Sequence, residues 1–215
     1  MKSLLNYSII TALFLASCSN ANKENQAAET SATATADNNA QKHYFIDEHN
    51  LGTVTFADVQ AAHQKDLATQ GKYGVSFEKF WVDEKAGKVY CLSEAKDAAS
   101  VEATHKEAHG LIPTVIYEVS SGGNDAALAG NKPMFMDVHE VGPGKITAAQ
   151  VADLHKKDLA VEGKHDVNFV NYYVDEAKGV IFCVSEAPDS NAVKATHMES
   201  TVGPTSYIYP VMQGK

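Results

Sequence analysis

The sequence repeats itself, and this duplication constrains the fold more than any other feature. Residues 44–119 and 134–211 align without a gap from His63 and His155 onward, and about half of the aligned positions are identical. A segment of this length that occurs twice is one folding unit present in two copies. The chain of 215 residues is therefore predicted to contain two small related domains rather than one large one.

Each copy has the same order of predicted elements: strand, helix, strand, strand, helix, strand. Gly71 is expected to end the first helix. This order is the split βαβ unit of the ferredoxin-like fold, so we expect an α+β protein of two tandem ferredoxin-like domains, at residues 43–119 and 134–215, with a turn-rich linker at 120–133. Because each copy is small for a core of its own, their antiparallel sheets are expected to pack face to face as an intramolecular pseudo-dimer.

The first residues have the features of an export signal. An apolar run, too short to cross a bilayer as a mature helix, ends in Leu15-Ala16-Ser17-Cys18. Small residues before a cysteine resemble the lipobox of bacterial lipoproteins. We predict a signal peptide at residues 1–18, lipidation at Cys18, a disordered polar tether at 19–42, and an anchor in the cell envelope, at the periplasmic side or the outer membrane. A plain secretory signal is the alternative.

The net charge of −9 argues against a nucleic-acid partner, because phosphate binding requires a basic stripe. Two Asp–His pairs, Asp47 with His49 and Asp137 with His139, recur on the first strand of each copy. Side chains two residues apart on a strand share a face. If apolar neighbours such as Ile46 pack on the helices, the pairs lie on the open face that the other copy covers.

Imidazole and carboxylate groups in that position suit nickel, zinc, copper or iron. A strand-end histidine that is hydrogen-bonded to an aspartate in a domain interface is the alternative interpretation. On either interpretation, the pairs from both copies are expected to gather in one partly dry space between the sheets.

Cys91 and Cys183 occupy matched positions in the middle of a strand and are expected on the same open face, if Tyr90 and Leu92 face the helices. Three interpretations stay open: inert buried thiols, a disulfide across the pseudo-two-fold axis, and soft metal ligands. The chain has no CxxC or CxxxC spacing, which excludes a zinc-finger-like site.

His63 and His155 lie on the apolar stripe of the first helix of each copy. Asp66 and Asp158 follow one turn later and are the expected partners. These histidines are either structural or ligands that the aspartate orients.

His105 and His109 lie four residues apart on the second helix, which places two imidazoles on one side. The order His-Lys-Glu-Ala-His differs from the His-Glu-x-x-His motif, so a metalloprotease is not supported. The second copy keeps His197 but has Thr201 in place of His109, so the two copies are expected to bind metal unequally. Exposed surface histidines are the alternative.

Large aromatic residues on the second strand of each copy are expected to share one face and to form interface core rather than to line a cofactor site. They are Phe77, Trp81, Phe169 and Tyr173.

Several segments together resemble a small bacterial family of unknown function whose described members are called nickel-binding proteins and have a ferredoxin-like fold. They are MFMDVHE at 134–140, LHKKDLA at 154–160, YVDE at 173–176, FCVSEA at 182–187 and THKEAHGL at 104–111. The resemblance implies paired domains, no organic cofactor and binding of Ni(II) or a related divalent ion such as zinc, copper or cobalt. It implies no established reaction.

The sequence thus favours a membrane-anchored extracytoplasmic protein that binds a divalent transition metal, nickel by resemblance, in sequestration or metal stress. Two alternatives remain. One is a small cofactor-free enzyme of the α+β barrel type, resembling oxygenases or isomerases. The other is an interaction module without a reaction.

Overall fold

A computed structural model describes residues 43–123 and 127–215 of the protein. The predicted signal peptide at 1–18, the lipidation site Cys18 and the tether at 19–42 lie outside these residues. None of the described helices combines the length and the apolar character that a membrane crossing requires.

The first repeat has the predicted order of strands and helices. Its elements are β1 (His43–Asn50), α1 (Phe56–Thr69), β2 (Ser76–Asp83), β3 (Lys88–Ala95), α2 (Ala98–Ala108) and β4 (Val115–Ser121). The second repeat matches it with β5 (Met134–Glu140), α3 (Ala148–Val161), β6 (Asn168–Asp175), β7 (Val180–Glu186), α4 (Ser190–Ser200) and β8 (Tyr207–Gly214). The predicted duplication and the mixture of helices and strands are confirmed.

Capping residues set the start of the first helix in each repeat. Thr55 accepts from the backbone N–H of Asp58, whose side chain reaches back to the Thr55 backbone, and Thr147 forms the same capping box. The helix end differs from the prediction. α1 ends at Thr69, Gly71 lies inside a following turn of 3-10 helix, and Gly74 (φ 69°) adopts the left-handed conformation that ends it.

All eight strands form one closed antiparallel barrel. The strand order is β4-β1-β3-β2 in the first repeat and β8-β5-β7-β6 in the second, and the two sheets join edge to edge where β2 pairs with β8 and β4 pairs with β6. The edge pairing was not predicted from the sequence. It leaves no open sheet edge among the described strands.

The described residues form three apolar cores around this barrel. The barrel interior is filled by side chains from both repeats, among them Ile46, Trp81, Tyr90, Met136, Tyr173 and Phe182. The other two cores lie on the outer face of the barrel, one beneath α1 and α2 and one beneath α3 and α4.

The predicted assignment of the two strand faces is wrong. Ile46, Tyr90 and Leu92 point into the barrel, so the residues that alternate with them, Asp47 and Cys91, lie on the helix side. Alternation shows which residues share a face, but it does not show which layer that face contacts. The large apolar side chains fill the barrel because two sheets must pack there.

A β-bulge explains why the aromatic residues of the second strand do not share one face. The register of β2 against β3 shifts between Phe77 and Lys79, which reverses the alternation. Trp81 therefore lies in the barrel, as expected of core, whereas Phe77 lies beneath the helices. β6 has the same irregularity after Phe169.

Candidate metal centre

The first repeat brings four possible metal ligands together between its sheet and its helices. β1 carries Asp47 and His49 on the helix side, and β3 places Cys91 directly opposite Asp47 in the strand pairing. The second helix, α2, adds His105. One ligand atom from each residue lies within 4.8 Å of the others, and all four residues are buried. These four residues are called the inner group below.

Aspartates and histidines alternate from the inner group toward the surface. His49 Nε2 lies 2.9 Å from Asp47 Oδ1, and His105 Nε2 lies 3.2 Å from the same oxygen. On the other side of its ring, His105 Nδ1 lies 3.0 Å from Asp66 Oδ1. His109 Nε2 lies 3.2 Å from Asp66 Oδ2. Asp66 therefore connects the buried histidine to the one that lies nearer the surface.

Hydrogen bonds fix the orientation of these rings. The backbone N–H of Leu111 donates to His109 Nδ1 at 3.1 Å, so a neutral His109 carries its proton on Nε2 and donates it to Asp66. Asp66 also holds the Nδ1 side of His105. A histidine whose Nδ1–H is held by a carboxylate presents Nε2 as a metal ligand, and Nε2 of His105 is the nitrogen that faces the inner group.

The buried site holds a positively charged histidine beside negatively charged aspartates. Burial disfavours a charged imidazole, but the carboxylates of Asp47 and Asp66 outweigh it and raise the pKa of His105 to about 10. Burial likewise opposes the ionisation of Asp47, yet the nearby charge of His105 and the hydrogen bond with His49 hold its pKa well below the usual range. Burial, with the nearby charge of Asp47, raises the pKa of the Cys91 thiol well above its ordinary value.

Several polar atoms of the site have no hydrogen-bond partner among the described residues. They are Asp47 Oδ2, His49 Nδ1, His105 Nε2 and His63 Nδ1, and all are buried. The 3.2 Å contact between His105 Nε2 and Asp47 Oδ1 is an ion-pair contact that lacks hydrogen-bond alignment. Buried polar atoms without partners are uncommon and indicate a missing ion, water or ligand.

A half-open cavity of about 70 Å³ adjoins the inner group. Its apolar walls come from Leu51, Val54, Val59, Ala62, Val89 and Leu111, and its polar lining includes His49, His63, Asp66, Cys91, His105 and His109. The space is large enough for a few water molecules or one small ligand.

The second repeat contains a closely related but more complete network. His139 Nε2 and His197 Nε2 both lie 3.0 Å from Asp137 Oδ2, and His139 Nδ1 contacts the backbone carbonyl of Pro204 at 3.3 Å. Asp137, His139 and Cys183 form a possible ligand group. In this group only Asp137 Oδ1 is buried without a hydrogen-bond partner.

Ser200 replaces the missing histidine in the second repeat. Its hydroxyl donates to Asp158 at 2.5 Å, the aspartate that His197 Nδ1 contacts at 3.1 Å. The exposed Thr201 takes no part in these hydrogen bonds. The cavity is also nearly closed: the equivalent space measures about 10 Å³ and is lined by Leu154, which stands where the first repeat has Ala62.

The Asp–His pairs of the two repeats were expected to meet in one space between the sheets, but the structure keeps them apart. The Asp–His pairs lie beneath the helices of their own repeats, not in a shared space between the sheets. This expectation was wrong because the barrel interior is apolar. Cys91 and Cys183 are free and buried in different outer cores, so the disulfide interpretation is not supported.

His63 and His155 lie beside these groups rather than in them. Their rings pack on aromatic residues, His63 at 4.9 Å from Phe80 and His155 at 4.6 Å from Tyr172. Burial lowers the pKa of both histidines.

The hydrogen bonds of Asp66 go to His105 and His109, so its expected partnership with His63 is wrong. The sequence contained one signal for the observed contact, since His105 and Asp66 both recur in the second copy as His197 and Asp158.

Comparisons with known proteins agree on the duplication. The model of the family described as "Nickel responsive protein SCO4226-like" matches residues 45–119 and 135–211. The crystal structure of SCO4226 from Streptomyces coelicolor A3(2) shares 38% identity over 36% of this chain and 93% of that chain, with a TM-score of 0.34. No curated protein matches the chain.

Solved structures of two proteins described as putative monooxygenases cover more of the chain at low identity. The one from Lactobacillus acidophilus NCFM has 10% identity over 80% of this chain and 93% of its own, with a TM-score of 0.42. The one from Fusobacterium nucleatum subsp. nucleatum ATCC 25586 has 11% identity over 82% of this chain and 94% of its own, with a TM-score of 0.44. Similarities this weak assign no activity.

Proposed function

Because this chain belongs to the SCO4226-like nickel-responsive protein family, we propose that it binds a divalent transition metal ion at the inner group of the first repeat. The proposed ligands are Asp47, His49, Cys91 and His105. Nickel is the proposed ion on the ground of the family, and zinc, copper and cobalt are its competitors.

One observation carries this proposal: four donors of three chemical types converge within 4.8 Å in a buried place while several of their atoms lack partners. A buried polar atom without a partner costs about 1–3 kcal/mol. A purely structural cluster would be expected to satisfy these atoms, as most of the second-repeat network does. A cation held by this group would satisfy Asp47 Oδ2 and His105 Nε2 together.

The donor set restricts the class of ion. Imidazole and thiolate ligands suit nickel, zinc, copper and cobalt, whereas magnesium and calcium prefer oxygen ligands. Affinity alone does not select nickel, because copper binds most nitrogen and sulfur sites more tightly. Selection of nickel in the cell would therefore depend on which ions are available.

The proposed setting is extracytoplasmic. A lipid anchor at Cys18, followed by the tether at 19–42, would hold two ferredoxin-like domains, paired as a pseudo-dimer, at the cell envelope. Metal sequestration or protection from metal stress is the corresponding role. This part of the proposal rests on the N-terminal sequence pattern.

An acid–base enzyme is the second candidate, and the cavity is the observation that favours it. His49, which pairs with Asp47, lines about 70 Å³ of space, and a histidine paired with a carboxylate can transfer protons. Metal binding explains more of the site, because a proton-transfer pair does not require Cys91 or the unpartnered Asp47 oxygen.

Calorimetric titration of the metal-free full chain with Ni(II), together with absorption spectra, tests the function. We expect saturable binding and a thiolate-to-metal charge-transfer band from Cys91. The variant His49→Ala with Cys91→Ser should lose both, while the matched second-repeat variant, His139→Ala with Cys183→Ser, should retain them. Unchanged binding and an unchanged band in the first variant would remove the assignment.

A further inference from the structure

The cavity beside the inner group is larger than the space at the equivalent position of the second repeat. The two sites share their aspartate, histidine and cysteine positions, yet the spaces beside them measure about 70 Å³ and about 10 Å³. The linings differ at one helix position, where Ala62 lines the first space and Leu154 lines the second. Open space in a protein core forfeits packing energy, so a cavity retained beside a polar cluster calls for an occupant.

One residue of the cavity lining carries an unpartnered polar atom. His63 is buried with 2% of its surface exposed, its ring lines the cavity, and its Nδ1 has no hydrogen-bond partner among the described residues. Burial lowers the pKa of His63. The matched histidine of the second repeat, His155, is less deeply buried.

The lining defines the chemistry of the occupant. The lining combines aliphatic side chains, among them Val54, Val59 and Ala62, with His63 and members of the inner group. An occupant must therefore be small. It must contact the aliphatic side chains and also offer a polar atom to His63 and to the inner group. The available volume limits it to about two to four heavy atoms.

We propose that the first-repeat cavity is a binding site for a small exogenous ligand of the bound metal ion, a molecule of the size and polarity of azide, which His63 contacts through Nδ1. The inference rests on the proposed function, because the ion at the inner group supplies the main contact. The second repeat, with Leu154 in the equivalent space, has no room for such a ligand. The first-repeat site is therefore open to small molecules, in contrast to a sealed structural metal site.

Sodium azide is the probe, added to the full chain that has been loaded with Co(II) or Ni(II). We expect a saturable change in the absorption bands of the bound ion, and no change when azide is added to the metal-free chain. In Ala62→Leu, which fills the cavity but keeps every proposed metal ligand, azide affinity should fall at least about tenfold while metal stoichiometry is retained. His63→Leu should weaken azide binding in the same direction.

The matched control is Ala61→Leu, which adds the same side chain at the neighbouring exposed position of α1 and should leave the azide response unchanged. An ion that binds with its thiolate band but gives no azide response in the wild-type chain would overturn this inference and leave the proposed function intact. An azide response that is equal in wild type, Ala62→Leu and His63→Leu would also overturn it. Failure of the chain to take up any ion would overturn the proposed function itself.

Discussion

Leu154 in the second repeat occupies the helix position that Ala62 holds in the first. The larger side chain lines a space of about 10 Å³, where its smaller counterpart borders one of about 70 Å³. This pair of residues distinguishes two sites whose aspartate, histidine and cysteine positions are the same. The polar site of the first repeat adjoins open space, whereas most of the equivalent space in the second repeat is occupied by side chains.

Leu154→Ala should therefore open a cavity in the second repeat and reduce stability. Leu154 is half-buried, so we expect a loss of about 2 kcal/mol in the free energy of unfolding, at the low end of the range for leucine truncation. Urea denaturation of the metal-free chain would measure it. The exposed Leu159 on the same helix provides the control, since Leu159→Ala should change stability by less than about 0.5 kcal/mol. Equal losses in the two variants would contradict the assigned packing role.

Asp66→Asn should weaken metal binding although Asp66 is not a proposed ligand. Its carboxylate holds His105 Nδ1 at 3.0 Å and so directs Nε2 to the ion. Loss of such a partner lowers metal affinity about 10- to 100-fold. Competition with a chromophoric chelator would measure the change. Asp158→Asn alters the same position of the other repeat and should leave the affinity of the first-repeat site within about twofold. A full-affinity Asp66→Asn protein would show that the orientation of His105 does not depend on this bond.

Nickel affinity should rise with pH between about 6 and 9. The ion must displace a proton from His105, whose pKa is raised to about 10, and from Cys91, whose pKa is also raised. Below those pKa values, each released proton increases the apparent affinity about tenfold per pH unit. Titrations in a series of buffers, corrected for buffer binding of nickel, would give the slope. A flat profile would mean that neither group is deprotonated on binding.

The stability of the metal-free protein should fall as pH rises, whereas its nickel affinity should increase. The pKa of His105 is about 10 in the folded chain against an ordinary value of 6.5, so its protonated form stabilises the fold. That contribution is complete below pH 6.5 and is lost as pH rises toward 10. Denaturation midpoints in the presence of a chelator would measure the decline.

Asp47→Asn provides the comparison for this pH dependence, because it removes one of the two carboxylates that stabilise the charged His105. The variant should be less stable at neutral pH by about 3–5 kcal/mol, the usual cost of removing one partner of a buried ion pair. Its stability should also depend less steeply on pH. A wild-type-like profile in the variant would show that Asp47 does not hold the proton on His105.

Much of the fold could be predicted from the sequence because it depends on local patterns. Duplication, element order and the recurrence of Asp47 with His49 follow from residue spacing alone. The sequence does not show which face of the sheet packs on the helices, because Ile46 and Asp47 alternate in the same way whichever layer covers them. Only the edge pairing of β2 with β8 and of β4 with β6 fixes the apolar face as the barrel interior.

Long-range contacts explain the remaining differences. Asp66 meets His105 across 39 positions of the chain, so spacing on one helix suggested His63 as its partner instead. The bulge after Phe77 has no turn residue that would predict it from the sequence. The list of candidate ligands from the sequence included the members of the inner group but placed Asp47, His49 and Cys91 on the wrong face of the sheet.

The edge-to-edge closure has a consequence for how such a protein can change over generations. When a barrel is built from two copies of one gene product, every substitution appears in both halves, so a change that closes one site closes the other. Here both halves are encoded in one chain, and each can vary alone while the shared interior keeps them assembled. Leu154, Ser200 and Thr201 illustrate that freedom, because the second half differs at these positions while the first keeps Ala62, Ala108 and His109.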